Sequence, residues 1–186
     1  MRITGGRWRS RALEAPRGMT TRPTSDRVRE ALFSILGDVA GLDVLDLFAG
    51  SGALGLEALS RGAASATFVE EARPALVALR ENVATLDVGA QATVVAAEAR
   101  SALRRLAGQG ARFGLVFLDP PYAAAGTPDA IADLVAHGLL VPGAWVVVEH
   151  ATRDVPPAAP PVLERRFARA YGDTTLTFHR HSPEAS

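Results

Sequence analysis

The chain has 186 residues, of which 48% are apolar and 22% are charged, a composition typical of one globular domain and not of a disordered chain. It contains no cysteine, which excludes disulfides, thiolate metal sites and cysteine nucleophiles, and we expect no metal. No apolar run approaches the roughly 18 residues of a membrane span, and the first residues have no apolar signal segment. We therefore expect a cytoplasmic protein without a membrane partner.

The formal net charge of 0 conceals an uneven distribution along the chain. The first 36 residues hold eight Arg against three acidic residues, a net charge of +5, and the remaining residues carry −5. All basic residues are Arg, which binds phosphate through two hydrogen bonds and stacks on bases. A biased coding sequence explains the preference for Arg over Lys equally well, but not the clustering. The candidate RNA-binding residues of this segment are Arg7, Trp8, Arg9, Arg11, Arg22, Arg27 and Arg29.

The N-terminal segment predicts two local structures. Residues 1–15 have the pattern of a short β-hairpin that turns near Gly5-Gly6. From Thr24 to Leu36 apolar residues recur with helical spacing after an N-cap at Thr24 or Ser25, so an amphipathic helix is predicted. We place the boundary between a basic arm, residues 1–23, and the main domain, residues 24–186, before this helix.

Beyond residue 40, short apolar runs alternate with helical segments, which is typical of a parallel sheet flanked by helices. Strands are predicted at 42–48, 65–70, 92–97, 113–119 and 145–149, and helices at 53–60, 74–86, 101–107 and 129–137. A proline-rich loop then precedes two β-like runs, 162–171 and 174–179, separated by Gly172-Asp173. The predicted fold class is α/β: a Rossmann-like, mostly parallel sheet with a C-terminal antiparallel hairpin, flanked by helices, plus the short N-terminal extension.

A glycine-rich turn follows the first strand of this sheet. Gly50-Ser51-Gly52-Ala53-Leu54-Gly55 lets a ligand approach the backbone closely, and by itself the motif fits NAD, FAD, another nucleoside cofactor or a tight turn without ligand. Asp46 narrows the choice, because a carboxylate repels a pyrophosphate and attracts an ammonium group. S-adenosylmethionine has an ammonium group and no phosphate. The candidate cofactor-binding residues here are Asp46, Phe48, Ala49, Gly50, Ser51, Gly52 and Gly55.

Glu70 ends the second predicted strand, about 20 residues after the glycine-rich turn, where an acidic side chain binds ribose hydroxyls in nucleoside-binding α/β folds. We therefore assign it to the cofactor site. Glu71 is adjacent, so the assignment to Glu70 is ambiguous by one residue. A solvated glutamate at a strand end, without a ligand, is the alternative interpretation.

Asp119-Pro120-Pro121-Tyr122 closes the fourth predicted strand and is the most specific motif in the chain. Its prolines make a rigid loop and lack N–H groups that would occupy neighbouring carbonyls. The carboxylate of Asp119 and the carbonyl of Pro120 are two acceptors for the two N–H groups of an exocyclic base amine, an arrangement that aims the nitrogen lone pair at an electrophilic methyl group. Tyr122 can stack on the base. We take these four residues as the candidate catalytic residues; an ordinary turn with a buried tyrosine is the alternative.

Together these segments resemble the class I S-adenosylmethionine-dependent amino-methyltransferases, and more closely the RsmD family. The resemblance rests on residues 2–6, 22–33, 45–58, 119–122 and 171–174, and it covers nearly the whole chain. The stretch Arg-Pro-Thr-Ser-Asp-Arg-Val-Arg-Glu at 22–30 is more diagnostic than the glycine-rich turn. The resemblance implies a methyltransferase that modifies the exocyclic N2 of a guanine in small-subunit (16S) ribosomal RNA.

The resemblance also implies further site residues and partners. In the family an Asn or Asp after the third strand lies near the adenine amine of the cofactor; Glu98, followed by Ala99, stands here and departs from that pattern. Arg22 and Thr24 would line the site or contact phosphate. The expected partner is ribosomal RNA, either naked or in the assembled small subunit, and the enzyme is expected to be a monomer.

Three other functions fit parts of the sequence. An NAD-dependent oxidoreductase shares the fold but has no use for Asp46 or the loop at 119–122, and without Lys no Tyr-x-x-x-Lys relay exists. An amino-methyltransferase for DNA or another RNA needs the same loop, but a chain of 186 residues leaves a DNA enzyme little room for its usual target-recognition domain. A non-catalytic RNA-binding module is supported by the basic arm alone.

Overall fold

The computed structural model describes residues 1–16, 25–120, 127–155 and 158–182. Within these ranges the strands are β1 (Asp43–Leu47), β2 (Ser65–Glu70), β3 (Ala92–Ala96), β4 (Phe113–Leu118), β5 (Leu140–Ala151), β6 (Leu163–Tyr171) and β7 (Thr174–His181). The helices are α1 (Asp26–Leu36), α2 (Ala53–Ser60), α3 (Arg73–Thr85), α4 (Ala99–Gly108) and α5 (Thr127–Ala136). None of the helices in these ranges is both long and apolar enough to cross a membrane.

The strands form one sheet in the order β3-β2-β1-β4-β5-β7-β6. The first five are parallel, and β7 lies antiparallel between β5 and β6. The predicted fold class is therefore confirmed. The chain winds from β1 toward β3 on one side and from β4 toward β5 on the other, so the direction of winding reverses between β1 and β4. In open α/β sheets a ligand crevice lies at the carboxyl ends of the strands at this reversal.

Alternation along the strands sends side chains to two hydrophobic cores. On the first face, residues such as Val44, Phe117 and Val147 pack with α1, α2 and α3. The rings of Phe33 in α1 and Phe117 in β4 meet edge to face with centroids 5.8 Å apart. The second face is covered by α4 and α5. Because β1 and β4 are buried on both faces, their carboxyl ends are rigidly placed.

Several predicted boundaries differ from the structure by two or more residues, and two of these differences have a visible cause. β5 begins at Leu140 instead of residue 145, because a register irregularity between Phe113 and Leu115 accommodates Pro142-Gly143 beside β4. α4 begins at Ala99 instead of residue 101, because the Glu98 carboxylate accepts hydrogen bonds from the Arg100 and Ser101 N–H groups and caps the helix. The N-cap of α1 is Ser25, one of the two predicted residues. Thr24 and part of the proline-rich loop lie outside the described residues.

The described part of the N-terminal arm, residues 1–16, forms a hairpin whose two limbs meet at an antiparallel bridge between Arg2 and Ala12. Its turn covers residues 5–10 and is wider than the predicted turn at Gly5-Gly6. The reason is that Gly6 lies flat against α2: an added Cβ would be 1.8 Å from the Ser60 carbonyl oxygen, and the φ of Gly6 is 74°. Ile3 and Leu13 are buried in the first-face core, so the limbs are anchored by apolar packing.

Candidate functional site

The carboxyl ends of three adjacent strands bring the predicted site residues together. Leu47 of β1 pairs with Val69 of β2 and with Leu118 of β4. The next positions along these strands are Phe48, Glu70 and Asp119. Since neighbouring strands lie about 4.8 Å apart, Glu70 and Asp119 flank the glycine-rich turn at about 10 Å from each other. These three positions therefore lie together at the reversal point of the sheet.

The three glycines of the turn have different surroundings. Gly52 has a φ of 81°, and an added Cβ would be 2.4 Å from Leu79. At Gly55 an added Cβ would be 2.4 Å from the ring of Phe68. A Cβ added at Gly50 would meet no atom of the described residues within 4 Å. Gly52 and Gly55 therefore allow α2 to pack closely on its neighbours, whereas the described residues leave space beside Gly50.

Phe48 joins β1 to this turn with a φ of 69°, in the left-handed region that non-glycine residues rarely adopt. Such a conformation costs on the order of 1–3 kcal/mol and is found mainly at functional sites. Two hydrogen bonds fix the strained turn. Gly50 N donates to Glu70 Oε2 at 2.8 Å, and Asn82 Nδ2 donates to the Ser51 carbonyl at 3.0 Å. The turn is therefore strained and fixed from two neighbouring elements.

Asp46 is 1% exposed, and its Oδ2 accepts a hydrogen bond of 2.9 Å from the Gly55 N–H. Burial raises the pKa of Asp46 to about 7; the bond from Gly55 opposes this rise, and the nearby Glu70 carboxylate adds to it. The sequence did not show this anchoring of α2 by Asp46. A nearby positive charge would stabilise the ionised form of this side chain. The contact of Asp46 with an ammonium group therefore has a physical basis and stays a prediction.

The two other predicted acidic residues already accept backbone hydrogen bonds. Glu70 Oε1 accepts from the N–H groups of Glu71 and Ala72 at 2.9 and 2.7 Å, in addition to the bond from Gly50. Glu98 is exposed, and its capping bonds lower its pKa. A carboxylate can accept about four hydrogen bonds, so each has room for one more donor. Their contacts with ribose and adenine stay predictions; Ala99, the first residue of α4, is buried.

At the end of β4, Asp119 and Pro120 are partly exposed at the crevice. Asp119 interacts with at least one other group of the chain. Pro121 and Tyr122 lie outside the described residues, as does Arg22. Within the described ranges, no group of three or more His, Asp and Glu side chains is placed to hold a metal ion.

The candidate RNA-binding residues separate into exposed and buried side chains. Arg7, Arg9, Arg11 and Arg27 are exposed, and the Arg7 guanidinium lies 5.3 Å from the centre of the Trp8 ring system. The prediction for Arg29 was wrong, because its side chain is 0% exposed and turns inward from α1. It donates to Asp26 Oδ1 at 2.8 Å and to the Arg2 carbonyl. Arg29 therefore anchors the arm.

Glu57, which the sequence interpretation missed, is the centre of this anchor. Its buried carboxylate accepts hydrogen bonds of 2.8 Å from Thr4 N, Thr4 Oγ1, Gly5 N and Arg61 Nε, and Arg29 Nε lies 3.9 Å away. One signal was available: Glu57 is the single charged residue in α2, whose other residues are apolar except Ser60. A charge in a buried helix requires partners. The Thr4-Gly5 motif supplies them, so this motif is a docking element.

Asn82 of α3 connects the arm to the glycine-rich turn. Its Oδ1 accepts from Glu14 N at 2.7 Å, and its Nδ2 donates to the Glu14 and Ser51 carbonyls. Asn82 is buried and satisfies backbone groups that are distant in sequence. No local pattern indicated this contact. The turn of the arm, in contrast, lies beside Ser60 at the far end of α2, a helix about 12 Å long.

Comparisons with known proteins agree with this architecture. The family model described as conserved hypothetical protein 95 matches residues 1–180. Ribosomal RNA small subunit methyltransferase D of Escherichia coli K12 is 44% identical over 161 residues, which are 86% of this chain and 79% of the relative. The protein of the same name from Haemophilus influenzae is 38% identical over 151 residues, 80% and 78% of the two chains.

A solved structure extends the likeness to the whole fold. The Escherichia coli protein yhhF superimposes with a TM-score of 0.88 at 38% identity, covering 99% of both chains. The likeness therefore includes the arm, the strand ends and the C-terminal hairpin together. Because the matched family spans residues 1–180, this chain belongs to the conserved hypothetical protein 95 family, which is the RsmD family.

Proposed function

We propose that this protein transfers a methyl group from S-adenosylmethionine to the exocyclic N2 amine of one guanine in small-subunit (16S) ribosomal RNA. The observation that carries the proposal is the placement of Asp119-Pro120 directly after β4, beside the glycine-rich turn that follows β1. Membership of the RsmD family supports the same activity, since relatives in it are named as small-subunit ribosomal RNA methyltransferases.

The residues at the strand ends fit the cofactor. The described residues leave space beside Gly50, next to the acidic Glu70, a combination suited to a ribose hydroxyl pair. Asp46 lies beneath the turn with a pKa raised to about 7, so a nearby ammonium group would favour its ionised form. Bound there, S-adenosylmethionine supplies a methyl group on a sulfonium sulfur. Phe48, Ala49, Ser51, Glu98 and Ala99 complete the proposed binding surface.

The chain acts on the amine by positioning it. The Asp119 carboxylate accepts a hydrogen bond from one N2–H, and the Pro120 carbonyl accepts a hydrogen bond from the other. These two bonds turn the nitrogen lone pair toward the methyl carbon. A new N–C bond forms as the S–C bond breaks with its electrons remaining on sulfur, and N2 releases one proton to Asp119. We assign Tyr122 to stacking on the base and Pro121 to stiffening the loop.

We further propose that residues 1–23 form an RNA-contacting arm and that residues 24–186 form the catalytic domain. The exposed Arg7, Arg9, Arg11 and Arg27 and the partly buried Trp8 support this, because guanidinium groups beside an indole suit structured RNA. Arg22 belongs to the same proposed surface. The enzyme would work as a cytoplasmic monomer on ribosomal RNA, either naked or within the small subunit.

Mapping methylated guanosines by mass spectrometry tests the activity. Small-subunit RNA from cells with and without the gene should differ at one N2-methylguanosine, and purified protein with S-adenosylmethionine should restore it. Parallel reactions with naked RNA, assembled subunits and DNA identify the substrate form. Methylation of DNA alone, or no detectable cofactor binding by calorimetry with or without RNA, would contradict the proposal.

A further inference from the structure

A buried carboxylate that the proposed transfer does not use lies beside Asp119. Glu149 is a residue of β5 and is 6% exposed. The preceding residue, Val148, pairs with Leu118, which precedes Asp119. Asp119 and Glu149 are therefore at matching positions on adjacent strand ends, with backbones about 4.8 Å apart.

Both carboxylates lie on the same side of the crevice. Val147, two residues before Glu149, belongs to the first-face core. Leu176 of β7, which pairs with Glu149, belongs to the same core. Phe117, two residues before Asp119, lies on the same face. Because strand side chains alternate, Glu149 points to the first face, and an extended continuation of β4 directs Asp119 there as well.

The end of β5 is held in place from both sides. β4 pairs with it on one side, and on the other Thr152 N donates to the Asp173 carbonyl at 2.8 Å. The Thr152 hydroxyl also donates to the Gly172 carbonyl at 2.9 Å. These bonds tie the β6–β7 turn to the strand that carries Glu149, so its position is rigid, as selective recognition requires.

The chemistry of such a carboxylate selects guanine. Beside its N2 amine, guanine carries an N1–H donor, whereas adenine and cytosine have an acceptor nitrogen at the corresponding place. A base without a donor at this place would leave the buried acceptor without a hydrogen bond, so the site discriminates strongly against such a base. Glu149 already interacts with another group of the chain, and a carboxylate can accept about four hydrogen bonds, so an N1–H can be added.

We propose that Glu149 is a specificity residue that accepts a hydrogen bond from N1–H of the target guanine while Asp119 and Pro120 hold its N2 amine. The inference rests on the proposed function and adds to it the means by which the base is identified. Two adjacent carboxylates then have separate tasks: Asp119 positions the nucleophile, and Glu149 reads the neighbouring ring nitrogen.

The test compares RNA substrates that carry guanine or 2-aminopurine at the mapped position. 2-Aminopurine keeps the amine at C2 but has an acceptor at N1. For the unaltered enzyme we expect kcat/KM to fall by about 10- to 100-fold with 2-aminopurine. In Glu149→Gln the new amide can donate to that acceptor, so kcat/KM should fall for guanine and rise for 2-aminopurine. The matched control, Glu164→Gln on the exposed edge strand β6, should retain the original ratio.

The outcomes separate the two proposals. An unchanged guanine to 2-aminopurine ratio in Glu149→Gln, with or without an equal loss for both substrates, would overturn the specificity proposal alone. If the variant does not fold, the unaltered enzyme decides: equal methylation of both bases overturns the role of Glu149. Absence of guanine methylation by the unaltered enzyme would instead overturn the proposed function.

Discussion

Two buried carboxylates hold α2 in place, Glu57 within the helix and Asp46 in β1, and their surroundings differ. Glu57 accepts four hydrogen bonds and lies within reach of the Arg29 and Arg61 guanidinium groups. Asp46 accepts one from Gly55, and no cation in the described part of the chain forms an ion pair with it. A buried charge needs compensation, which Glu57 obtains from its own chain. Asp46 has no such compensation in the described part of the chain, and in the proposed function a cationic cofactor would supply it.

Replacing Glu57 should have the largest effect. Glu57→Ala removes the carboxylate of α2 that lies near the buried Arg29, and it removes the acceptors for Thr4 and Gly5. The free energy of unfolding should therefore fall by about 3–5 kcal/mol. Denaturant titration measures this loss, and the exposed Glu81→Ala on α3 serves as the control. A loss below about 1 kcal/mol, the value of a surface ion pair, would show that Glu57 does not anchor the arm.

Asp119→Ala should affect the reaction and leave cofactor binding nearly intact. Removing an acceptor that acts on the amine should lower turnover by about 100- to 1,000-fold. Transfer of labelled methyl groups gives the rate, and calorimetry gives the cofactor affinity. Asp129→Ala, an exposed acid on α5, is the control. Near-normal turnover in Asp119→Ala would remove this residue from the catalytic role.

Asp46→Asn should weaken cofactor binding by about 10- to 100-fold at pH 8, since a hydrogen bond or ion pair to a charged group is lost while the amide oxygen still accepts from Gly55. In the unaltered protein, affinity should increase from pH 6 to pH 8 as Asp46 ionises around its pKa of about 7. Calorimetry across this range should show the increase disappear in the variant. A parallel pH dependence in both proteins would assign the titration to another group.

The same pKa has a consequence for stability. Because the folded-state pKa of Asp46 is raised from 3.8 to about 7, the folded protein binds the proton more tightly than the unfolded chain. The stability contributed by protonated Asp46 is therefore present at low pH and is lost as pH rises through about 7. Unfolding of Asp46→Asn without cofactor should show less decline between pH 5 and pH 8 than the unaltered protein.

The smallest effect is expected on the arm's surface. Arg7→Ala should lower RNA affinity by about 2- to 5-fold and reduce the slope of log affinity against log salt by about 1, because one phosphate contact is removed. Arg29→Ala should instead lower stability, since Arg29 is buried. Binding of small-subunit RNA at several salt concentrations distinguishes the two. Equal salt slopes for Arg7→Ala and the unaltered protein would place RNA elsewhere.

The architecture could be predicted because its signals are local. Apolar runs such as 65–70 match β2 to the residue, and the glycine-rich turn is followed by α2 where predicted. The positions of Asp46, Glu70 and Asp119 at strand ends follow from the same alternation, since parallel strands place their carboxyl ends on one edge. Local periodicity and turn residues therefore sufficed to locate these strand-end residues of the candidate site.

The direction of individual side chains could not be predicted in the same way. Arg29 was assigned to the RNA surface because it lies in a basic segment, yet it turns inward to Glu57, which is 28 residues away in sequence. Gly5-Gly6 has the composition of a turn but is a contact surface for Ser60. Asn82 carries no local signal at all. Each depends on partners that only folding brings near.

The sequence by itself determined the α/β fold class, the order of the elements and the chemistry placed at each strand end, because spacing, proline and glycine act over a few residues. The tertiary structure decided which charges are compensated, with Glu57 satisfied and Asp46 left with a raised pKa. It also placed Glu149 next to Asp119, at the ends of the adjacent strands β5 and β4. Burial and long-range pairing set these properties, and neither is encoded in a local pattern.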